Sequence, residues 1–168
     1  MFKQIIGLLL GTTLLATTLS AETVPINGIV QSRCVIQTDN AGTYGNPNAY
    51  TLSTDVTDGG EPAIVRFDVS LANAYYATIR APTAFSSSPT LPDAAVFTGD
   101  TTVSSVSSST TMGTYEANKI ELGMTDKYNL TATGSTWFET TSTATMGGNK
   151  SFPGGSYTAL IIAECIAQ

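Results

Sequence analysis

The sequence predicts an all-β protein with a single domain, built as an antiparallel sandwich of two sheets. Apolar residues recur with a period of two along most of the chain, which is typical of half-buried strands, and no long segment has helical periodicity. Turn-forming Gly, Asn and Asp residues separate these segments at short intervals. The 168 residues are enough for one domain with a core of its own. This pattern argues against alternating βαβ units.

The N-terminus has the pattern of a secretory signal. Lys3 supplies the positive charge, and an apolar run over residues 5–15 follows that is too short to span a bilayer comfortably. Ser20 and Ala21 are small residues that suit cleavage, so we expect the mature chain to start directly after them. The expected organisation is a signal peptide, an N-terminal extension and one folded domain, at residues 1–21, 22–33 and 34–168 respectively.

Composition limits the classes of function. The net charge is −6 and only 12% of the residues are charged, so we expect no nucleic-acid partner, because phosphate binding needs clustered Lys and Arg. No second apolar run is long enough for a membrane span in the mature chain. The chain has no histidine, which removes the usual general base, the Ser-His-Asp arrangement and most zinc sites. We therefore expect no enzyme activity, no metal and no cofactor.

The clearest strand candidate is residues 63–70. Its inward face carries Ala63, Val65, Phe67 and Val69, and the residues between them are mainly polar. A second strand over residues 75–80 follows after a short connection, which predicts a hairpin between the two. Further candidate strands are residues 95–98, 119–124, 128–132 and 135–139.

Four segments are less regular. Residues 112–118 could form a short helix, and residues 55–60 are expected to be a turn rather than a calcium-binding loop. Residues 82–92 contain three prolines, which suits a surface loop or an edge strand. Residues 104–111 are almost all Ser and Thr, and the sequence leaves a flexible loop and a polar strand both open.

Trp137 and Phe138 are adjacent, so in a strand one of them points inward and the other outward. We expect Trp137 to be the core aromatic of the sandwich. The alternative is an exposed Trp137 beside Tyr128, which could stack on sugars.

The two cysteines, Cys34 and Cys165, lie in strand-like segments near opposite ends of the exported chain. In an exported protein such a pair is expected to form a disulfide. The bridge would join the first strand to the last and close a loop of about 130 residues. In the chain-entropy model, closing a loop of this length stabilises the folded protein by on the order of 4–5 kcal/mol.

The segments around these cysteines alternate in a way that defines one face each. Near the N-terminus the face is formed by Val24, Ile26, Gly28 and Val30. The residues between them are mostly not apolar, and Ile29 is the exception. Near the C-terminus the corresponding face is formed by Gly155, Tyr157, Ala159, Ile161 and Ala163, and continues to Cys165.

These two ends resemble those of bacterial pilus subunits assembled by the chaperone–usher route. In that family an extension of alternating apolar residues, with a Gly in the row, precedes the first cysteine. Its C-terminal strand carries a Gly fourteen residues from the end, which is the position of Gly155 here. The resemblance implies an immunoglobulin-like sandwich that lacks one strand and is completed by the N-terminal strand of a neighbouring subunit.

The resemblance also implies roles and partners. Val24, Ile26, Gly28 and Val30 would be the donor strand, and the face from Gly155 to Ala163 would belong to the acceptor groove. The partners would be identical subunits in a head-to-tail filament, a periplasmic chaperone and an outer-membrane usher. The protein would pass through the periplasm to a filament on the cell surface. The alternative is a secreted, self-contained sandwich that binds carbohydrate or a surface ligand near Trp137 or residues 82–92.

Overall fold

The computed structural model describes residues 25–29 and 31–168. It is 52% strand and 8% helix, with antiparallel pairing throughout its sheets, which confirms the expected all-β class. The expected signal peptide and the donor-strand residues Val24 and Val30 lie outside the described residues. Among the helices that are described, none has the length and apolar character needed to cross a membrane.

Twelve strands and one short α-helix are described, together with three turns of 3₁₀-helix. The strands are β1 (Cys34–Asn40), β2 (Gly45–Asn48), β3 (Thr51–Ser53), β4 (Ala63–Val69), β5 (Tyr75–Arg80), β6 (Phe85–Ser87), β7 (Ala95–Val106), β8 (Ile120–Leu122), β9 (Thr125–Leu130), β10 (Gly134–Met146), β11 (Thr158–Ala159) and β12 (Ile162–Ala167). The helix is α1 (Ser109–Met112), and the 3₁₀ turns are Val56–Asp58, Glu116–Asn118 and Gly147–Asn149.

The strands form two main sheets. The first sheet has the order β1-β4-β10-β3-β2, and β7 pairs with the other edge of β10. The second sheet has the order β12-β5-β9-β8, and β11 and β6 form a separate two-stranded ribbon. β1 and β12 are therefore the end strands of the two main sheets.

The core lies between the two sheets. β4 alternates as expected, with all four inward residues buried, and Phe67 is fully enclosed. Phe138 of the first sheet packs on Tyr128 of the second, with ring centroids 4.6 Å apart. Phe67 meets Phe138 edge-on at 5.3 Å, an arrangement that aromatic rings favour. These contacts join the sheets into a sandwich-like fold.

The hairpin expected between β4 and β5 is wrong. β4 pairs with β1 and β10, whereas β5 pairs with β12 and β9 in the other sheet. The connection crosses from one sheet to the other, and Asn73, with a φ of 56°, donates its backbone N–H to Leu130 on β9. Alternation identifies the buried face of a strand but not the strand it pairs with, and the hairpin prediction failed for this reason.

The structure assigns secondary structure to three of the segments that the sequence left irregular. The first residues of segment 104–111 complete the long strand β7, and the last residues begin α1, so both a polar strand end and a helical turn are present. The expected helix over residues 112–118 is instead the end of α1 followed by a 3₁₀ turn at Glu116–Asn118. Segment 82–92 contains the short strand β6.

The expected turn at residues 55–60 is confirmed. Asp55 Oδ1 accepts hydrogen bonds from the Thr57 N–H at 2.7 Å and the Thr57 hydroxyl at 2.6 Å. These bonds hold the pKa of Asp55 below its usual range. Gly59 follows with a φ of 77°, a backbone conformation that favours glycine.

Candidate functional site

The disulfide between Cys34 and Cys165 is present, as expected. It joins β1 to β12 with 6.2 Å between the Cα atoms and a separation of 131 residues in sequence. In the register, Cys34 lies opposite Val69 of β4 and Cys165 lies opposite Ala77 of β5. The bridge therefore connects the end strand of one sheet to the end strand of the other.

Apart from this bridge, β1 and β12 each have one unpaired edge. Within the described part of the chain β1 pairs only with β4 and β12 only with β5. Their inward residues are only half buried although they pack on the core, and these are Cys34 and Ile36 of β1, and Ala163 and Cys165 of β12 with the preceding Ile161. Inward residues of the central strands are fully buried by comparison. The core is thus incompletely covered along this side, which we call the open side.

A groove of about 640 Å³ continues the open side beyond the end of β1. One part of its lining comes from the chain that follows β1, at Ala41, Gly42, Thr43, Tyr44 and Asn46, and another from Phe152, Pro153, Gly154, Gly155, Tyr157, Thr158, Ala159 and Ile161. Inward residues of the first sheet complete the lining, among them Leu52, Ala63, Thr140 and Ser142.

Four of the five predicted groove residues line this groove, namely Gly155, Tyr157, Ala159 and Ile161. The fifth, Ala163, lies one step further along the same face and packs on the core. The exposed Gly155 has a φ of 151°, and a Cβ there would lie 2.5 Å from Cγ of Pro89. Both the backbone and the space require glycine at this position.

An aromatic cluster beside the groove could not be found from the sequence. Phe85 is at its centre, 4.8 Å from Phe97 and 5.1 Å from Tyr157 between ring centroids, and Phe152 and Tyr44 also pack on it. These residues come from four separate segments of the chain, so no local sequence pattern predicts that they form a cluster. The cluster fixes the segment around Tyr157 against β6.

Tyr44 links the groove to the first sheet. Its hydroxyl shares a hydrogen bond of 2.8 Å with the hydroxyl of Ser142 on β10. Burial raises the pKa of Tyr44, and the bond to Ser142 offsets part of that rise. The polar groups in this part of the groove are thus paired with each other.

The N-terminal extension does not pack on its own domain over residues 25–29. None of these residues is in a strand, and the side chains of Ile26 and Ile29 are 99% and 94% exposed. Among the described residues, the first hydrogen bonds between this segment and the domain are made by Gln31 and Arg33. The Ser70 hydroxyl donates to the Gln31 carbonyl, and the Arg33 N–H donates to the Ser70 hydroxyl at 2.7 Å.

Trp137 is not the core aromatic that we expected. Phe138 takes that position, and Trp137 lies half buried on the outer face of the first sheet. Its ring is covered by the Arg66 guanidinium, 5.8 Å from the centroid, and its Nε1–H donates to Asp39 at 2.6 Å. Tyr128 is buried in the other sheet, so the two rings do not form a shared platform for sugars.

The opposite side of the sandwich, where β7 faces β9, contains a charged cluster. Asp100, Glu121 and Asp126 lie close enough to suggest a cation site, but Lys119 occupies their midst, with Nζ 2.7 Å from Asp100 and 3.1 Å from Glu121. Burial alone would lower the pKa of Lys119, but these hydrogen bonds and the charge of Asp126 outweigh it and raise the pKa above its usual value. Lys119 thus occupies the position that a cation would take and offsets one of the three negative charges.

Buried hydrogen bonds connect this cluster to both sheets. The Thr101 N–H of β7 donates to Asp126 of β9 at 2.8 Å, and the Tyr128 hydroxyl donates to the Thr101 carbonyl at 2.5 Å. Lys119 Nζ donates to the same carbonyl at 3.2 Å. We call this β7–β9 side the closed side.

No protein-family model, curated protein or solved structure matches the chain.

Proposed function

We propose that this protein is a structural subunit of an extracellular filament, assembled in the manner of chaperone–usher pilus subunits. In this proposal the fold is an immunoglobulin-like sandwich with one strand missing, and residues 22–33 of one copy supply that strand to the next. The role is structural rather than catalytic.

The observation that carries the proposal is the open side. The inward residues of β1 and β12 are half buried, although they belong to the same core as fully buried neighbours. A strand added at the free edge of β12 would cover this row and pair its main chain by β-strand addition. Unpaired edges with apolar inward residues are otherwise a liability for a secreted protein, which gives a physical reason for a partner strand.

The position of the extension supports a partner in another copy. The extension leaves the domain before Cys34, at the start of β1, whereas the groove lies beyond the other end of β1, at Ala41 and Gly42. A seven-residue strand spans about 23 Å, so the two features lie at opposite ends. A contact between unlike surfaces at opposite ends adds subunits head to tail, and it generates a fibre when the rotation between subunits does not close a ring.

The composition of the extension fits this use. Ile26 is almost completely exposed in its own chain, and a side chain of this size gains roughly 1.5–3 kcal/mol on full burial. A neighbour's groove would bury it together with Val24 and Val30. Before assembly the open side would need protection, so we propose a periplasmic chaperone and an outer-membrane usher as further partners, with the cell surface as the final location.

The test is electrophoresis of the exported protein without and with heating. We expect a ladder of heat-sensitive oligomers for the wild type and its loss in Ile26→Asp, because a charge in an apolar groove is costly. The matched control is Asn27→Asp, which places the same charge on the outward row and should keep the ladder.

A wild-type protein that is monomeric in every unheated sample would contradict the proposal. The same holds if Ile26→Asp and Asn27→Asp behave alike. Such results would favour the alternative, a self-contained secreted binding module. Its ligand site would have to lie away from Trp137, whose ring is covered by Arg66.

A further inference from the structure

The outward row of β12 is apolar except for the exposed Glu164 between Ile162 and Ile166, and this is a large apolar share for the free edge of a sheet. Ile162 and Ile166 point away from the core, because their neighbours Ala163 and Cys165 point toward it, and they are 40% and 45% exposed. Leu160 continues this row just before the strand and is also exposed. Natural edge strands usually carry charges or proline at such places, since bare apolar edges promote pairing. We call Leu160, Ile162 and Ile166 the outer row.

The second sheet offers this row little cover. Across the strand pair, Ile162 lies opposite Arg80 and Ile166 opposite Tyr76, while Glu164 lies opposite Thr78. The Tyr76 ring is already engaged by Lys127, with Nζ 3.7 Å from the ring centroid. On the other flank of β12 the described residues provide no strand at all. A residue that covered the outer row would therefore have to come from the free edge of β12, which is the edge next to the groove.

The N-terminal extension carries one apolar residue, Ile29, that could pack against the outer row. Its alternation places Val24, Ile26 and Gly28 on one face, so Ile29 falls on the opposite face together with Pro25 and Asn27. Ile29 is 94% exposed in its own chain. If the extension pairs with the free edge of β12 and turns its first face inward, Ile29 comes to lie on the outer side of the sheet, next to the outer row.

We propose that Ile29 of one copy packs against the outer row of β12 in the next copy, so that the incoming strand is held on both faces. This inference rests on the proposed function, because it needs the extension to pair with β12 of another copy. Cross-strand and diagonal neighbours on one face lie within about 4.5–8 Å, which is within reach of isoleucine side chains. The break in the alternation at Ile29 is then a second contact rather than an irregularity.

The experiment is disulfide trapping in the full-length exported chain, with Cys34 and Cys165 retained. Ile29→Cys is combined with Ile162→Cys or with Ile166→Cys, and linked dimers are sought on non-reducing gels after boiling. We expect one of these two combinations to link separate copies. Ile26→Cys with Ile166→Cys is the control, and it should give no link because the two residues belong to opposite faces.

A third combination, Ile26→Cys with Ile161→Cys, reports on the inward face and so on the proposed function alone. A link there, with no link from Ile29 in either combination, would overturn the outer contact and leave the proposed function standing. Absence of all links, together with absence of the heat-sensitive ladder, would overturn both. A link within a single chain would also overturn the inference, because the partner would not be a second copy.

A milder substitution tests the energetic contribution without new cysteines. Ile29→Thr should make subunits dissociate about two- to fivefold faster while the ladder still forms, because threonine keeps the β-branch but loses part of isoleucine's apolar contact on an exposed face. Asn27→Thr, on the same outward face, should leave the rate unchanged. Equal rates for Ile29→Thr and the wild type would contradict the inference.

Discussion

The closed side of the sandwich joins its sheets through buried polar groups, whereas the open side joins them through one disulfide. In the part of the chain that the structure describes, β7 and β8 of the closed side also have one free edge each, as β1 and β12 do. On the closed side, however, side chains satisfy part of that edge, because the N–H groups of Thr101 and Val103 on β7 donate to Asp126 and Glu116. On the closed side Asp126 and Tyr128 of β9 reach across to Thr101 of β7. On the open side the covalent bond between Cys34 and Cys165 is the bridge, and the inward residues around it remain half buried.

The difference indicates how one fold can be stable and still have room for a further strand. On the closed side, side-chain hydrogen bonds already occupy several main-chain groups of β7, so that side offers less to a partner. A disulfide holds two strands near each other without using their main-chain hydrogen bonds or covering their apolar faces. The open side therefore keeps its capacity to pair, which is what the proposed function requires.

Removing the bridge should have the largest effect on stability. We expect Cys34→Ala with Cys165→Ala to lower the free energy of unfolding by about 2–5 kcal/mol, because the unfolded chain is no longer constrained by a loop of 131 residues. Urea unfolding of the oxidised wild type and of the double variant measures this. The wild type with reductant is the control, and it should match the double variant. Equal midpoints for all three samples would show that the open side does not depend on its disulfide.

On the closed side, Lys119→Met should cost about 3 kcal/mol, since it leaves the buried Asp126 without its cation. The side chains of Lys119 and Asp126 are only 9% and 5% exposed. Lys150→Met is the matched control, because its pair with Asp93 is about half exposed and such pairs contribute little. Urea unfolding of both variants at neutral pH gives the comparison. A Lys119→Met protein as stable as the control would mean that the cluster does not hold the sheets together.

The closed side should also make the protein sensitive to alkali. Burial, reinforced by the surrounding acidic charges, raises the pKa of Tyr128, and the pKa of Lys119 is raised as well. The folded state thus keeps both protons where the unfolded state loses them, near pH 10 for tyrosine and about 10.4 for lysine. Their contribution is complete below pH 10 and declines as the pH rises further.

The Tyr128→Phe variant measures how much of the stability lost above pH 10 is due to Tyr128. At neutral pH the variant should lose about 1 kcal/mol with the hydrogen bond to Thr101, and above pH 10 its stability should fall less steeply than that of the wild type. Urea midpoints measured between pH 7 and pH 11 give both quantities. Parallel pH profiles for the variant and the wild type would contradict the assignment.

The sequence was most informative where the pattern is local or repetitive. Alternation identified every buried residue of β4, and the expectation of export, together with two cysteines, led to the correct disulfide. It also identified the face from Tyr157 to Ala163, because period-two alternation survives even where the strand is interrupted between β11 and β12.

What could not be predicted depends on contacts between distant segments. The Lys119 cluster brings together Asp100 and Asp126, which carry no shared motif. The choice between Trp137 and Phe138 depends on the register of β10 and not on either residue alone. In the same way, the crossing from β4 to β5 is set by their partners in separate sheets, which alternation does not encode.

The central claim, that β12 receives a strand from another copy, is tested most directly by amide hydrogen exchange. In a strand paired on one side, about half of the amides point to the free edge and exchange without protection from a partner. The comparison is between the assembled wild type and the Ile26→Asp variant. We predict slower exchange in the assembled protein for those amides of Ile162–Ala167 that point to the free edge, with β9 unchanged between the two. Equal exchange along β12 in both samples would contradict the account.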